Sequence, residues 1–190
     1  GKEGNVGLIT YMRTDSVRIS DEARAMARGY IDKKYGKEFL PEKPNVYKSS
    51  KSAQGAHEAV RPNYVSMETD SIKEELTADQ YKLYKLIWER FVSSQMLPAR
   101  YFVTTVEIEA GQYLFKATGS KLIFPGWIIL YNYAREKDDE DKTLPPLTKD
   151  EALKLLRFIP SQHWTEPPPR YSDATLVKAL EEKGIGRPST

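Results

Sequence analysis

The chain has 190 residues, 29% of them charged, a net charge of +2 and no cysteine. That length suits one sizeable domain or two small ones in a folded, water-soluble chain, and the missing cysteine excludes a disulfide framework, a thiolate zinc site and a cysteine nucleophile. No apolar run approaches the roughly 20 residues that cross a bilayer, so no membrane partner is expected, and a reducing, cytoplasmic setting fits.

Gly7 to Thr14, within GLITYMRTDS, is a short apolar run rich in β-formers and reads as a strand end. Ser20 then offers an N-cap, with Asp21 and Glu22 in the first turn, for a helix to about Tyr35 closed by Gly36. Lys37 to Gln54 reads as a loop. Thr77 and Gln80 form a capping box, and Tyr81, Tyr84, Ile87, Trp88 and Phe91 recur at helical spacing as a core stripe. After Pro98 the period changes to two: Phe102 to Glu109 and Tyr113 to Thr118 predict a hairpin turning at Gly111. A third strand is expected near Trp127 to Tyr133. An acidic, proline-containing loop runs from Glu136 to Pro146. Thr148 to Phe158 fits either a capped helix or a strand, and Ser172 to Lys183 is a last helix closed by Gly184. The abrupt ends at Gly1 and Thr190 read as those of a piece of a longer protein.

Residues 1–61 carry twelve Lys and Arg against eight Asp and Glu, a mild bias that an ordinary solvated surface explains better than a nucleic-acid partner does. The chemistry is in particular residues. In an extended chain Tyr11 and Arg13 share a face, about 7 Å apart. A phenol needs help to become a nucleophile at neutral pH, and a guanidinium both favours the phenolate and grips a phosphate. Alone, the pair is a weak signal and reads first as a half-buried strand tyrosine with a neighbour. In AHEAVRP, His57 can hold or relay a proton and Arg61 can hold a second phosphate, with Pro62 ending any helix there; a hydrogen-bonded structural histidine is the other reading. GIGRPST offers a phosphate seat or an ordinary turn between helices. Asp139-Glu140-Asp141 imitates a metal pair but reads as solvated loop, and no metal site is expected.

Taken together and in order, GLITYMRTDS, AHEAVRP and PPPRYSDATLVKALEEKGIGRPST closely resemble the type IA DNA topoisomerases, through essentially the whole chain. Met12 favours the bacterial topoisomerase I branch over the topoisomerase III branch, which usually has proline there. The resemblance implies that Tyr11 attacks one DNA strand and becomes joined to its 5′ phosphate, releasing a 3′ hydroxyl. It also implies that Arg13 positions the scissile phosphate, with His57 as the third catalytic residue. Asp15, placed to orient His57, and Glu58 and Arg61 match DNA-binding positions of the same site, and Arg187, Ser189 and Thr190 match a strand-binding motif. Val17, Val60 and Asn63 depart mildly from the family pattern.

The implied fold is α+β: a helical, winged-helix-like domain bearing the tyrosine (1–97), a β-rich arch of the family's toroid (98–160), and the start of the return to the single-strand-binding body (161–190). On this reading Ala152 to Phe158 is strand rather than helix. The implied activity relaxes negative supercoils by cutting, passing and resealing a single strand without ATP, as a monomer. Mg²⁺ belongs to a Toprim domain that the chain lacks, so the piece alone is expected to cleave poorly. The competing reading is a DNA-binding module of the same fold that does not cleave.

Overall fold

The computed structural model describes residues 7–12, 14, 16–47, 57–131 and 143–185. Arg13, Asp15, the Asp139 to Asp141 run, Arg187, Ser189 and Thr190 lie outside the described residues. The chain divides into two compact units, Gly1–Thr143 and Leu144–Thr190.

The first unit mixes helices with a small antiparallel sheet. Helix α1 spans Asp21–Tyr35: the Ser20 hydroxyl accepts from the Ala23 N–H at 3.2 Å, and Gly36, at φ +101°, closes it. Its Ala23, Ala27 and Ile31, four residues apart, form one buried stripe. Helix α2, Ala78–Ser94, opens on the expected capping box, with Gln80 Oε1 accepting from the Thr77 N–H at 3.0 Å and Thr77 Oγ1 accepting from the Gln80 N–H at 3.3 Å. Tyr84, Trp88 and Phe91 are buried, whereas Tyr81 stands at the margin and donates to Asp70 at 3.0 Å. The two helices share one core, in which Tyr30 and Trp88 meet edge to face at 5.4 Å.

Between the helices runs a stretch with little repeating structure, broken by a 3-10 turn at Lys37–Phe39 and a 3-10 segment at Thr69–Glu75 that no apolar period announced. The aromatic residues of α2 hold this stretch by their polar tips: Trp88 Nε1 donates to the Val65 carbonyl at 3.1 Å and the Tyr84 hydroxyl donates to that of Met67 at 2.7 Å.

Strands β1, Arg100–Ala110, and β2, Tyr113–Phe124, form the hairpin in antiparallel register, Ala110 opposite Tyr113. Gly111 has φ +62°, which a two-residue loop with glycine first requires. Phe102, Val103, Leu114 and Phe115 are exposed, so the ribbon shows apolar residues on both faces. Its foot is anchored: Phe124 packs on Phe39 at 5.0 Å, and the Leu97 N–H donates to the Phe39 carbonyl at 2.8 Å.

The expected third strand is instead a 3-10 turn, Gly126–Ile129. Pro125 takes helical dihedrals and Gly126 reverses the chain at φ +51°, which hands the Trp127 N–H to the Leu97 carbonyl at 2.9 Å. Trp127 and Leu130 then pack against the core rather than alternate across a sheet. Likewise Gly7 to Thr14 is no strand among its described residues but an irregular segment with one bridge, Ile9 to Pro62.

In the second unit, Thr148 and Glu151 do close a cap-like ring, the Thr148 N–H donating to Glu151 Oε2 at 3.0 Å, but neither helix nor strand follows. Asp150 turns the chain there at φ +62°, and Ala152 to Phe158 is exposed and forms neither helix nor strand. Helix α3, Asp173–Glu182, begins at Ser172, which caps reciprocally with Thr175, and ends at Gly184 with φ +68°. His163, assigned no chemistry from the sequence, meets the Ser161 hydroxyl at 2.9 Å.

A Cβ at Gly126 would meet the Leu97 carbonyl oxygen at 2.4 Å and Pro98 C at 2.5 Å, whereas one at Gly111 would meet nothing. Gly126→Ala should therefore cost roughly 2–4 kcal/mol, the left-handed penalty plus overpacking, and Gly111→Ala only about 1–2 kcal/mol. Urea denaturation followed by tryptophan fluorescence measures both; equal losses would contradict the close packing at Gly126.

Candidate active site

Tyr11 and His57 are far apart in sequence, and a short clamp of two irregular segments brings them together. Ile9 bridges Pro62, the Thr10 N–H donates to the Arg61 carbonyl at 2.9 Å, and the Asn63 N–H donates to that of Leu8 at 2.9 Å. Proline lacks the N–H that would extend this pairing, so side chains continue it. Thr10 Oγ1 donates to the Ala59 carbonyl at 2.8 Å and accepts from the Arg61 N–H at 3.0 Å, while Asn63 Nδ2 donates to the Gly7 carbonyl at 2.7 Å. Sequence reasoning passed over Thr10 and counted Asn63 only as a mild departure. Their signal was faint: two polar residues flanking a tyrosine and a proline.

The clamp sets the Tyr11 ring on that of His57, with centroids 6.0 Å apart and planes inclined by 28°. Tyr11 is 69% exposed.

Glu58 and Arg61, expected to face a ligand, are also engaged with the protein. Arg61 Nη2 donates to Glu58 Oε2 at 2.7 Å, Arg61 Nη1 donates to the Pro62 carbonyl at 3.1 Å, and Glu58 Oε1 accepts from the Ser20 N–H at 2.9 Å. Partial burial by itself would push the Glu58 carboxyl up, but the Arg61 guanidinium and the Ser20 N–H outweigh it and hold the carboxyl below its ordinary value. One carboxylate thus ties the His57 segment to the cap of α1, and the Ala59 N–H adds a bond to the Arg18 carbonyl at 2.8 Å.

Beside the clamp opens a groove of about 620 Å³. Thr14, Ser16, Val17 and Val60 line it, together with Arg90 and Ser93 of α2, Trp127 and Tyr131. Among the described residues no three His, Asp or Glu side chains gather as metal ligands would, and no helix is long and apolar enough to cross a membrane.

The profile of the DNA topoisomerase family matches residues 4–190. The chain is 51% identical to DNA topoisomerase 1 of Salmonella typhimurium over 97% of its own length and 21% of that protein's. It is 51% identical to the Rickettsia felis DNA topoisomerase 1 over its whole length and 25% of that protein's. Among solved structures, full-length topoisomerase I from Thermotoga maritima superposes with a TM-score of 0.79 at 38% identity, covering all of this chain and 30% of that one. The chain therefore spans a fifth to a third of the length of these relatives.

The tie through Glu58 has a pH signature. A carboxyl whose folded pKa is depressed stabilises fully above its unfolded value, near 4.5, and loses that contribution as pH falls through the lower folded value. Glu58→Gln should therefore cost roughly 1–2 kcal/mol at pH 7, with the gap from the parent narrowing as pH drops from 5 toward 3. Denaturant titrations of both proteins at several pH values measure it; a gap independent of pH would remove the charge from this account.

Proposed function

The chain belongs to the type IA DNA topoisomerases, in the bacterial topoisomerase I branch, and on that premise we propose that it carries the strand-cutting tyrosine of such an enzyme, Tyr11. The observation that carries this reading is the exposed Tyr11 ring held on His57 by a clamp of backbone and side-chain bonds.

Tyr11 Oη attacks the phosphorus of a single DNA strand. The Oη–P bond forms, the bond from phosphorus to the 3′ oxygen breaks, and the strand's 5′ phosphate stays on the tyrosine. One proton leaves the phenol and one reaches the 3′ oxygen. An imidazole is the side chain able to carry a proton both ways near neutral pH, and His57 stands beside the Tyr11 ring. Arg13 grips the scissile phosphate and Asp15 orients His57. A phosphodiester is exchanged for a phosphotyrosine, so little bond energy is lost; the 3′ hydroxyl reseals the strand by the reverse attack, and no ATP is needed.

Glu58 and Arg61 serve this site first as its frame, and a phosphate reaching Arg61 competes with Glu58 for the guanidinium. Arg187, Ser189 and Thr190 hold the strand further along. We assign Mg²⁺ to acidic residues of a Toprim domain elsewhere in the parent, and no step above runs through it. In that parent the helical, winged-helix-like part precedes the arch of a toroid. The parent relaxes negative supercoils in the cytoplasm as a monomer.

Covalent trapping tests the proposal. An end-labelled single-stranded oligonucleotide with Mg²⁺ should give a slower band on a denaturing gel with the full-length parent and none with the parent carrying Tyr11→Phe, a loss of at least about 10⁴-fold. The mutant should still bind the oligonucleotide in a salt-dependent way. A persistent adduct would make Tyr11 a packing residue, and a parent that binds but never forms an adduct would favour the non-cleaving module.

A further inference from the structure

Asn63 does more at the clamp than pair its backbone. Its N–H donates to the Leu8 carbonyl at 2.9 Å, while its side-chain Nδ2 donates to the Gly7 carbonyl at 2.7 Å and makes a looser contact with that of Ile9 at 3.4 Å. Three successive carbonyls of the segment that leads to Tyr11 thus converge on one residue. The amide nitrogen suits this, since its two hydrogens can face two carbonyls at once.

The far side of Asn63 is fixed to the core. Pro62 is buried, and so is Val65, whose carbonyl is taken by Trp88 Nε1 at 3.1 Å. Asn63 therefore stands between two fixed points and reaches out to backbone at the surface, where Gly7 is exposed and Tyr11 follows two residues after Ile9. Water can replace a bond so exposed as the one to Gly7, and its loss changes stability little. Water does not replace the direction which that bond gives to the chain. A nucleophile displaced by about 1 Å loses on the order of a hundredfold in rate, so a bond of slight weight for the fold has a large weight for the reaction.

Thr10 ties the same segment to Ala59 and Arg61, next to the tyrosine, and Asn63 holds it further back, so the two side chains fix it at two places. We propose that Asn63 is a positioning residue for strand cutting: by holding the carbonyls of Gly7 and Ile9 it sets the line along which Tyr11 Oη approaches the phosphorus, without touching DNA itself. This rests on the strand-cutting reading above and assigns to it a residue outside the reacting groups. Cutting and resealing pass through one transition state. Loss of a positioning residue therefore slows both by the same factor and leaves the balance between intact and cut strand unchanged. A residue that only supports the fold would instead lower the fraction of competent enzyme, hence the amount of adduct but not the rate at which it forms.

Single-turnover trapping tests it, with the full-length parent, Mg²⁺ and a saturating end-labelled single-stranded oligonucleotide. Two variants are compared with the parent: Asn63→Ala, which has no donor, and Asn63→Ser, which keeps one shorter donor. Asn63→Ala should form the adduct about tenfold or more slowly, and reseal it more slowly by the same factor after a jump to high salt. Its oligonucleotide affinity, read by fluorescence anisotropy, should stay within about twofold of the parent's, and its melting temperature within about 3 °C. Asn63→Ser should recover part of the rate. Parent rates in Asn63→Ala overturn the proposal and leave strand cutting standing. A smaller amount of adduct formed at the parent rate, or a melting temperature that falls with the rate, makes Asn63 a residue of the fold only and overturns it too. So does Asn63→Ser no faster than Asn63→Ala, which removes the donor from the account. A parent that binds the oligonucleotide but forms no adduct overturns strand cutting and this proposal together.

Discussion

Backbone that crosses a protein without joining a helix or sheet must find a partner for each buried N–H and C=O separately, and residues 57–67 live under that constraint. Helix α2 meets it at one end, where Trp88 and Tyr84 spend their polar atoms on the carbonyls of Val65 and Met67. Thr10 and Asn63 meet it at the other, around a proline that cannot donate. The same bonds fix His57 relative to Tyr11, so the core of the helices and the position of the reactive pair are one problem with one solution. Aromatic residues suit it because they fill the core and still carry a donor at the rim.

Much of this was legible in the sequence. Ser20 and Thr77 announce their helices because a cap is a local arrangement, complete within four residues. Gly111 announces the hairpin for the same reason. Trp127 to Leu130 misleads because a short apolar run is equally good as strand or as a turn folded onto the core, and only the close approach of Gly126 to Leu97 and Pro98 decides between them. The run around Tyr11 reads as a strand end, yet among the described residues its one β-bridge is at Ile9. The partner that would have extended the pairing is broken by Pro62, some fifty residues downstream. The groove was not legible at all, since it is assembled from five stretches that no short motif connects.

Glu58 and Arg61 illustrate how one pair of residues serves two ends. Three residues apart, they form an ion pair whose side chains are 25% and 12% exposed, and the carboxylate reaches on to the N–H of Ser20. An arginine so placed keeps a fixed direction without a ligand, which lowers the entropic cost of meeting a phosphate later. The arrangement also means that charge arriving at Arg61 is felt at the cap of α1, because both draw on the same carboxylate.

The hairpin has a mechanical consequence. Its first strand of 11 residues extends about 36 Å at 3.3 Å per residue, while its foot is gripped by Phe39, Leu97 and the reversal at Gly126. Such a ribbon is a lever with a short, stiff fulcrum: a tilt of about 10° at the foot sweeps the tip through about 6 Å. A change of one rotamer's size beneath Phe124 is thereby magnified into a displacement as large as a side chain, at a loop that touches nothing of the core itself.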